Sequence, residues 1–346
     1  MAWSETVGQP FAVRVIRAHL SSGRIPPAYL FVGPEGVGKR LVALELAKAF
    51  NCEHADHDVC DQCGSCRRIA GGVHPDVRVL QPHGASATIR IDEVRAVIAQ
   101  AALRPFMARC GVVILDGAER LTEEAANSLL KVIEEPSTRI RFCVISAQPS
   151  ACLPTIVSRC QVLRFGRLPQ EFLEQRLRAM GSGDPALVRE AARLAGGSLS
   201  QATVLLDQWD RYRAMTEQFA GDQPSRWVTW DIPQDRQELS EWVRRSILWL
   251  RDVAVASVAD EALIAHQQGL AAIQRQAQRW NQDRCLETAF KLVELFDSME
   301  QWLSPRLVGT LLREEWLELI GQGAGDKGQG NPSHSRPSPL APRPQP

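Results

Sequence analysis

Short apolar runs alternate with helix-like segments along the first half of the chain. Five runs predict strands, at Ala28–Val32, Val77–Leu80, Val112–Asp116, Phe142–Ser146 and Gln161–Phe165. Between them, apolar residues recur at helical spacing near Arg40–Phe50, Asp92–Leu103 and Thr122–Glu134. Strands that alternate with helices in this way predict an α/β fold, in which helices cover both faces of a parallel sheet.

The second half of the chain has a different pattern, because no strand signal follows Pro169. A helical segment extends to about Gln208, and the Pro-containing stretch Gln223–Asp235 predicts a connector. Four longer amphipathic patterns follow, near residues 237–258, 260–279, 284–302 and 305–320. Residues 321–346 are rich in Gly, Pro, Ser and Gln and nearly free of apolar side chains, which predicts a disordered tail.

Composition narrows the class of protein. The chain has 346 residues, of which 45% are hydrophobic and 23% charged, as in soluble globular proteins of two or three domains. The formal net charge is zero, which argues against a strongly basic nucleic-acid-binding body, although a local basic patch is compatible with it. No apolar run reaches the roughly 18–20 residues of a membrane span, and the first residues lack a signal-peptide pattern. We therefore expect a cytoplasmic protein without membrane contacts.

A phosphate-binding motif directly follows the first predicted strand. The pattern G-x-x-x-x-G-K-[S/T] is met at every position but the last by Gly33-Pro34-Glu35-Gly36-Val37-Gly38-Lys39-Arg40. Backbone amides of the loop, around Gly33, Gly36 and Gly38, would cradle phosphates together with Lys39. The Ser or Thr hydroxyl at the last position of the motif is a Mg²⁺ ligand, and this chain has the cationic side chain of Arg40 there instead. We expect ATPase ancestry without turnover, and the residues leave open whether ATP still binds.

The second part of such a site is an acidic residue at the end of a buried strand. Asp116 ends a predicted strand and could hold a metal-bound water. AAA+ ATPases carry a catalytic Glu at the next position, but here Gly117 offers no base. Glu119 lies two residues further on and would point in a different direction, so we do not expect it to substitute.

Four of the nine cysteines lie between positions 52 and 66. The spacing Cys52-x₇-Cys60-x₂-Cys63-x₂-Cys66 predicts a tetrahedral Zn²⁺ site, and four thiolates leave no open position, so its role would be structural. Two alternatives stay open: a reduced thiol cluster, or a site in which His54 or His57 replaces one cysteine. A redox pair is less favoured, because the cluster holds four thiols rather than two.

Several motifs together resemble the bacterial clamp-loader branch of AAA+ proteins. They are Val7-Gly8-Gln9, Ala28-Tyr29-Leu30-Phe31, the inserted cysteines, His74-Pro75-Asp76, residues 126–136 (ANSLLKVIEEP) and Ser158-Arg159-Cys160. The resemblance implies a P-loop AAA+ domain over residues 1–167 with a zinc module at 52–66. It further implies a helical lid over 168–208, an all-α collar that oligomerises over 209–320, and a disordered tail over 321–346.

The resemblance also implies a role for Arg159. In this family the Arg of Ser-Arg-Cys lies at a subunit boundary and reaches the nucleotide of the neighbouring motor subunit. The chemistry suits that role, because a guanidinium is permanently charged and presents forked donors to phosphate oxygens. The alternative for an isolated Arg is a surface ion pair, but the surrounding motif favours a trans-acting arginine.

Three departures from the motor subunits indicate lost ATP hydrolysis: Arg40, Gly117, and Ser200, which stands where the motor has Arg in the second sensor motif. They are typical of the family's non-hydrolysing member. That member works in a heteropentamer with motor (tau/gamma) and delta subunits, and through it with the sliding clamp and primer–template DNA. Two other functions stay open: an active tau/gamma-type motor that uses Lys39 and Asp116, or a zinc-dependent nucleic-acid-binding module.

Overall fold

The computed structural model describes residues 8–54, 58–83, 88–101, 104–134, 139–181, 183–221, 233, 235–301 and 303–322. These residues form two compact units that divide between Gln208 and Trp209. Most of the predicted connector, and the predicted tail from residue 323 onward, lie outside the described residues.

The first unit is built on a five-stranded parallel sheet. Its strands are β1 (Ala28–Val32), β2 (Val77–Leu80), β3 (Gly111–Asp116), β4 (Ile140–Ser146) and β5 (Gln161–Arg164). They lie in the order β2-β3-β4-β1-β5, and every neighbouring pair is parallel. The predicted α/β class is confirmed. Because parallel strands end at the same edge of a sheet, the loop after β1 and the acidic end of β3 lie on either side of the end of β4.

Nine helices of the first unit are described. Six accompany the sheet: α1 (Pro10–Ser22), α2 (Lys39–Asn51), α3 (Gly64–Ala70), α4 (Ile91–Ala101), α5 (Glu123–Glu134) and α6 (Pro154–Arg159). Three follow it: α7 (Gln170–Ala179), α8 (Pro185–Leu194) and α9 (Leu199–Asp207). Thr122 caps α5, since its Oγ1 accepts the N–H of Ala125 at 3.3 Å. The periodicity of the sequence did not predict α1, α3 and α6. The last two are shorter than the window that reveals helical periodicity.

The second unit is helical in all its described elements. It contains α10 (Trp209–Phe219), α11 (Arg236–Ala256), α12 (Leu270–Ala277), α13 (Gln282–Gln301) and α14 (Pro305–Gln322). Three tryptophans, Trp242, Trp249 and Trp316, are fully buried in its core. None of the described helices combines the length and apolar composition that crossing a membrane requires.

The predicted helix over residues 260–279 is wrong in its first half. Two short 3₁₀ turns, Glu261–Leu263 and Gln267–Gly269, precede α12. A Cβ atom on Gly269 would lie 2.7 Å from ring atoms of Trp249, so the chain passes too close to the indole for any larger residue. This contact depends on tertiary packing, which a periodicity in the sequence does not reveal.

Candidate functional site

The phosphate-loop motif connects β1 to α2 at the carboxyl edge of the sheet. Gly36 and Gly38 have φ angles of 72° and 96°, which glycine adopts without strain. A Cβ on Gly36 would lie 2.0 Å from Ser200 Oγ and 2.1 Å from Ser198 Oγ. The Leu199 N–H also donates to the Gly36 carbonyl at 2.9 Å. The segment predicted as the second sensor therefore packs directly on the loop and offers it small hydroxyls instead of a guanidinium.

Lys39 is held by the loop itself. Its Nζ donates to the carbonyl oxygens of Gly33 and Pro34, at 2.5 and 2.7 Å. Burial lowers the pKa of Lys39, while the nearby carboxylates, Glu119 foremost, counteract this effect. A bound phosphate would replace the two carbonyl contacts with a stronger contact in which both partners are charged.

Arg40 and Asp116 face each other across the site. Arg40 Nη1 lies 3.9 Å from Asp116 Oδ2, and Gln81 Nε2 donates to the same oxygen at 3.2 Å. Mg²⁺ demands near-octahedral oxygen ligands, but position 40 supplies none and the Asp116 carboxylate is already paired with a cation. The residues present therefore do not fit the divalent ion that phosphate-loop ATPases use.

Glu119 lies on the 3₁₀ turn Ala118–Arg120, just after Gly117. Its Oε1 accepts the N–H of Ala147 at 3.3 Å. Its Oε2 is buried without a hydrogen-bond partner among the residues that the structure describes. Glu119 thus borders the same cleft as Asp116, although a backbone contact holds its carboxylate.

These groups line a cleft of about 710 Å³ within the first unit. Its lining includes the charged residues Lys39, Arg40 and Asp116 and the apolar residues Leu168, Phe172, Met180 and Leu199. Arg176 of α7 also lines the cleft, and its Nε is buried without a partner within the described part of the chain. Arg176 and Gln81 belong to no motif, so the sequence did not identify them as site residues.

Gln9 connects the phosphate loop to the segment after β5. Its Nε2 donates to the carbonyls of Val37 and Gly166 at 3.1 and 2.8 Å, and its Oε1 accepts the Gly166 N–H at 3.1 Å. A primary amide offers two donors and an acceptor, so one buried side chain fixes both segments. Val7-Gly8-Gln9 was recognised only as a motif, without this positioning role.

The four predicted metal ligands lie together. The sulfur atoms of Cys52, Cys60, Cys63 and Cys66 are all within 4.8 Å of one another. The N–H groups of Gln62 and Cys63 point at Cys60 Sγ, at 3.5 and 3.3 Å, and that of Cys66 points at Cys63 Sγ at 3.3 Å. Such amide contacts stabilise sulfurs that carry negative charge. The cluster could hold a metal ion. His57 lies outside the described residues.

The His-Pro-Asp motif connects the cysteine cluster to the chain that enters β3. Ser65 Oγ, one residue from Cys66, lies 3.3 Å from His74 Nε2, and the Asp76 N–H donates to His74 Nδ1 at 3.2 Å. The Asp76 carboxylate accepts three N–H groups, those of residues 106, 107 and 108, at 2.7, 2.9 and 2.8 Å. These bonds form a continuous path from the cluster to residues 106–108.

Asp76→Asn should destabilise the protein in a pH-dependent way. Burial raises the pKa of Asp76, but the three N–H bonds outweigh it and bring the pKa below its usual value. A carboxylate with a lowered pKa stabilises the fold above its unfolded pKa, about 3.9, and this stabilisation is lost as pH falls through the folded value. We expect the variant to be about 1 kcal/mol less stable at pH 7. Urea unfolding at pH 7 and near pH 3 tests this: the difference should shrink in acid, and a constant difference would contradict it.

Arg159 ends α6 with its guanidinium at the protein surface. Its Nε lies 2.6 Å from Glu134 Oε1, and the two side chains are 39% and 45% exposed. Nη1 makes two long contacts, at 3.3 Å to the Thr155 carbonyl and at 3.4 Å to Ser158 Oγ. An exposed ion pair contributes about 0–1 kcal/mol, so the guanidinium can exchange Glu134 for another anion at small cost.

Comparison with known proteins concerns mainly the first unit. Residues 8–169 match the family described as "DNA polymerase III, delta subunit". The chain is 37% identical over 169 residues to DNA polymerase III subunit delta' of Bacillus subtilis, which covers 49% of this chain and 51% of that protein. It is also 37% identical over 199 residues to the delta' subunit of Pseudomonas aeruginosa, covering 57% and 58%. The tau subunit of B. subtilis is 32% identical over 212 residues, covering 60% and 37%. The chain thus spans only about half the length of its delta' relatives.

Proposed function

We propose that this chain, whose residues 8–169 match the family described as "DNA polymerase III, delta subunit", acts as the delta-prime subunit of a bacterial clamp loader. The two delta' relatives, at 37% identity, support this assignment over the tau relative, at 32%. The observation that carries the proposal is the surface guanidinium of Arg159, on a domain whose own nucleotide site offers neither a hydroxyl for Mg²⁺ nor a base at Gly117.

In this role the chain is a non-hydrolysing stator of a cytoplasmic heteropentamer with tau/gamma motor and delta subunits. Residues 168–208 form its lid, and the helical collar over 209–320 holds it in the ring. Arg159 leaves Glu134 and contacts the ATP of the adjacent motor subunit, where a guanidinium stabilises the charge of the phosphoryl group in transfer. The ring then opens the sliding clamp and loads it on primer–template DNA.

Zn²⁺ is the proposed occupant of the cysteine cluster. Soft thiolate ligands select zinc, and four of them close its tetrahedral coordination. With no ligand position left for water or substrate, the ion would serve only to hold Cys52 and the Cys60–Cys66 segment together.

The purified chain alone should hydrolyse no ATP above the buffer blank. Its site lacks the Mg²⁺ ligand at position 40 and the base at position 117, and both support the attack of water on the γ-phosphate. Phosphate release in the presence of Mg²⁺ measures this directly.

The similarity to a tau subunit makes an active motor the second candidate. Magnesium-dependent turnover that disappears in Lys39→Ala would favour that candidate.

A further inference from the structure

Arg40 supplies the nucleotide cleft with a fixed positive charge near Asp116. Phosphate-loop ATPases hold Mg²⁺ between the motif's hydroxyl and such an aspartate. Here the guanidinium lies 3.9 Å from the carboxylate. Like charges at such a distance repel each other, and a divalent ion is repelled about twice as strongly as a monovalent one. A metal ion brought to Asp116 would therefore be repelled by Arg40.

The parts that hold phosphates are nevertheless present. Gly36 and Gly38 have positive φ angles, and α2 begins at Lys39 with its positive end at the loop. Within the described part of the chain, Lys39 Nζ donates to the Gly33 and Pro34 carbonyls, which a phosphate can replace. Arg176 brings a further guanidinium to the cleft.

The size and lining of the cleft also suit a nucleotide. Its volume, about 710 Å³, falls within the range of small-molecule sites. The lining combines the charged groups of the loop with the apolar residues Leu168, Phe172 and Met180. A ligand with a flat apolar end and an anionic end matches this combination.

We propose that the cleft binds a nucleoside polyphosphate without a divalent cation, and that Arg40 provides the charge that Mg²⁺ provides in related ATPases. This inference rests on the proposed origin of the site in a clamp-loader ATPase. On binding, Lys39 moves from the Gly33 and Pro34 carbonyls to the phosphates, and Arg40 bridges the phosphates and Asp116. Without a metal or a base the nucleotide is not hydrolysed, so it stays as a structural ligand between loop and lid.

Titration of the full chain with a fluorescent ADP analogue, in excess Mg²⁺ and in EDTA, tests this. The wild-type Kd should agree within about twofold between the two buffers, because the charge at position 40 is permanent. Arg40→Ser restores the motif's hydroxyl and removes the cation, so its binding should weaken about tenfold in EDTA and recover in Mg²⁺. Arg40→Lys is the matched control, which keeps the charge and should stay insensitive to EDTA. Lys39→Ala should lose binding in both buffers.

Three results would overturn the inference. They are the absence of saturable binding by the wild type in either buffer, a wild-type requirement for Mg²⁺, and an Arg40→Ser variant that is as insensitive to EDTA as the wild type. Each leaves the trans role of Arg159 untouched, since that role is measured by the ATP turnover of a neighbouring subunit.

Discussion

Arg159→Ala should lower ATP turnover at the adjacent motor site of the reconstituted ring by about 10³-fold or more, the range measured for arginines supplied in trans. The total rate of the ring falls by at least that site's share. The expected cause is the loss of a forked donor at the γ-phosphate. The ring should still assemble, because the contacts of the removed side chain within the described residues, to Glu134, the Thr155 carbonyl and Ser158 Oγ, are all exposed. Phosphate release and size-exclusion chromatography measure turnover and assembly separately.

Three further variants sharpen this experiment. Arg178→Ala removes another exposed arginine of the same unit, one that pairs with Glu174, and should leave turnover unchanged. Arg159→Lys keeps the charge but loses the planar fork, so it should recover only part of the activity. Glu134→Ala frees Arg159 from its local partner and should retain turnover. Full ring activity in Arg159→Ala, with assembly intact, would remove Arg159 from the mechanism.

Removal of the proposed zinc ion should unfold the cysteine module. Structural zinc contributes about 10–16 kcal/mol of apparent binding free energy in small metal-dependent domains. Here the module is attached to a large sheet, so we expect local unfolding rather than loss of the whole unit. Elemental analysis should find one zinc per wild-type chain and none in Cys63→Ser. Cys285→Ser changes a buried cysteine of the second unit and should keep the zinc.

The effect of metal loss should extend to residues 106–108. Ser65, His74 and Asp76 connect the cluster to these backbone amides, so their hydrogen exchange should accelerate on chelation. Amides of α11 in the second unit provide the internal reference. A wild-type protein that contains no zinc, or one whose exchange at 106–108 is insensitive to chelation, contradicts this account.

The sheet could be predicted from the sequence because its central strands are buried on both faces. Such strands are continuous apolar runs, and all five residues of β1 are fully or nearly fully buried. The phosphate loop and the cysteine cluster could be predicted for another reason, because residues that are near in the chain set their geometry. Each of these features is formed by residues that lie close together in the chain, so each could be predicted.

The contacts that define the site's properties could not be predicted, because they join distant residues. Arg40 meets Asp116 only after β1, β4 and β3 align at one edge. Gln9 contacts Gly166 across 157 positions. The pairing of Arg159 with Glu134 depends on where α5 and α6 end. Motifs thus identified the charged side chains of the site, whereas the tertiary fold determines which of these charges pair with one another.

We propose that this chain has lost its own turnover and completes the ATP site of a neighbour. Steady-state phosphate release by the reconstituted ring, compared between two variants of this chain, tests both halves of this proposal. Lys39→Ala disables the chain's own phosphate loop, and Arg159→Ala removes only the exposed guanidinium. We predict that the Lys39→Ala ring keeps wild-type turnover, while the Arg159→Ala ring loses at least the share contributed by the adjacent motor site. The reverse pattern, with turnover lost in Lys39→Ala and kept in Arg159→Ala, would contradict the claim.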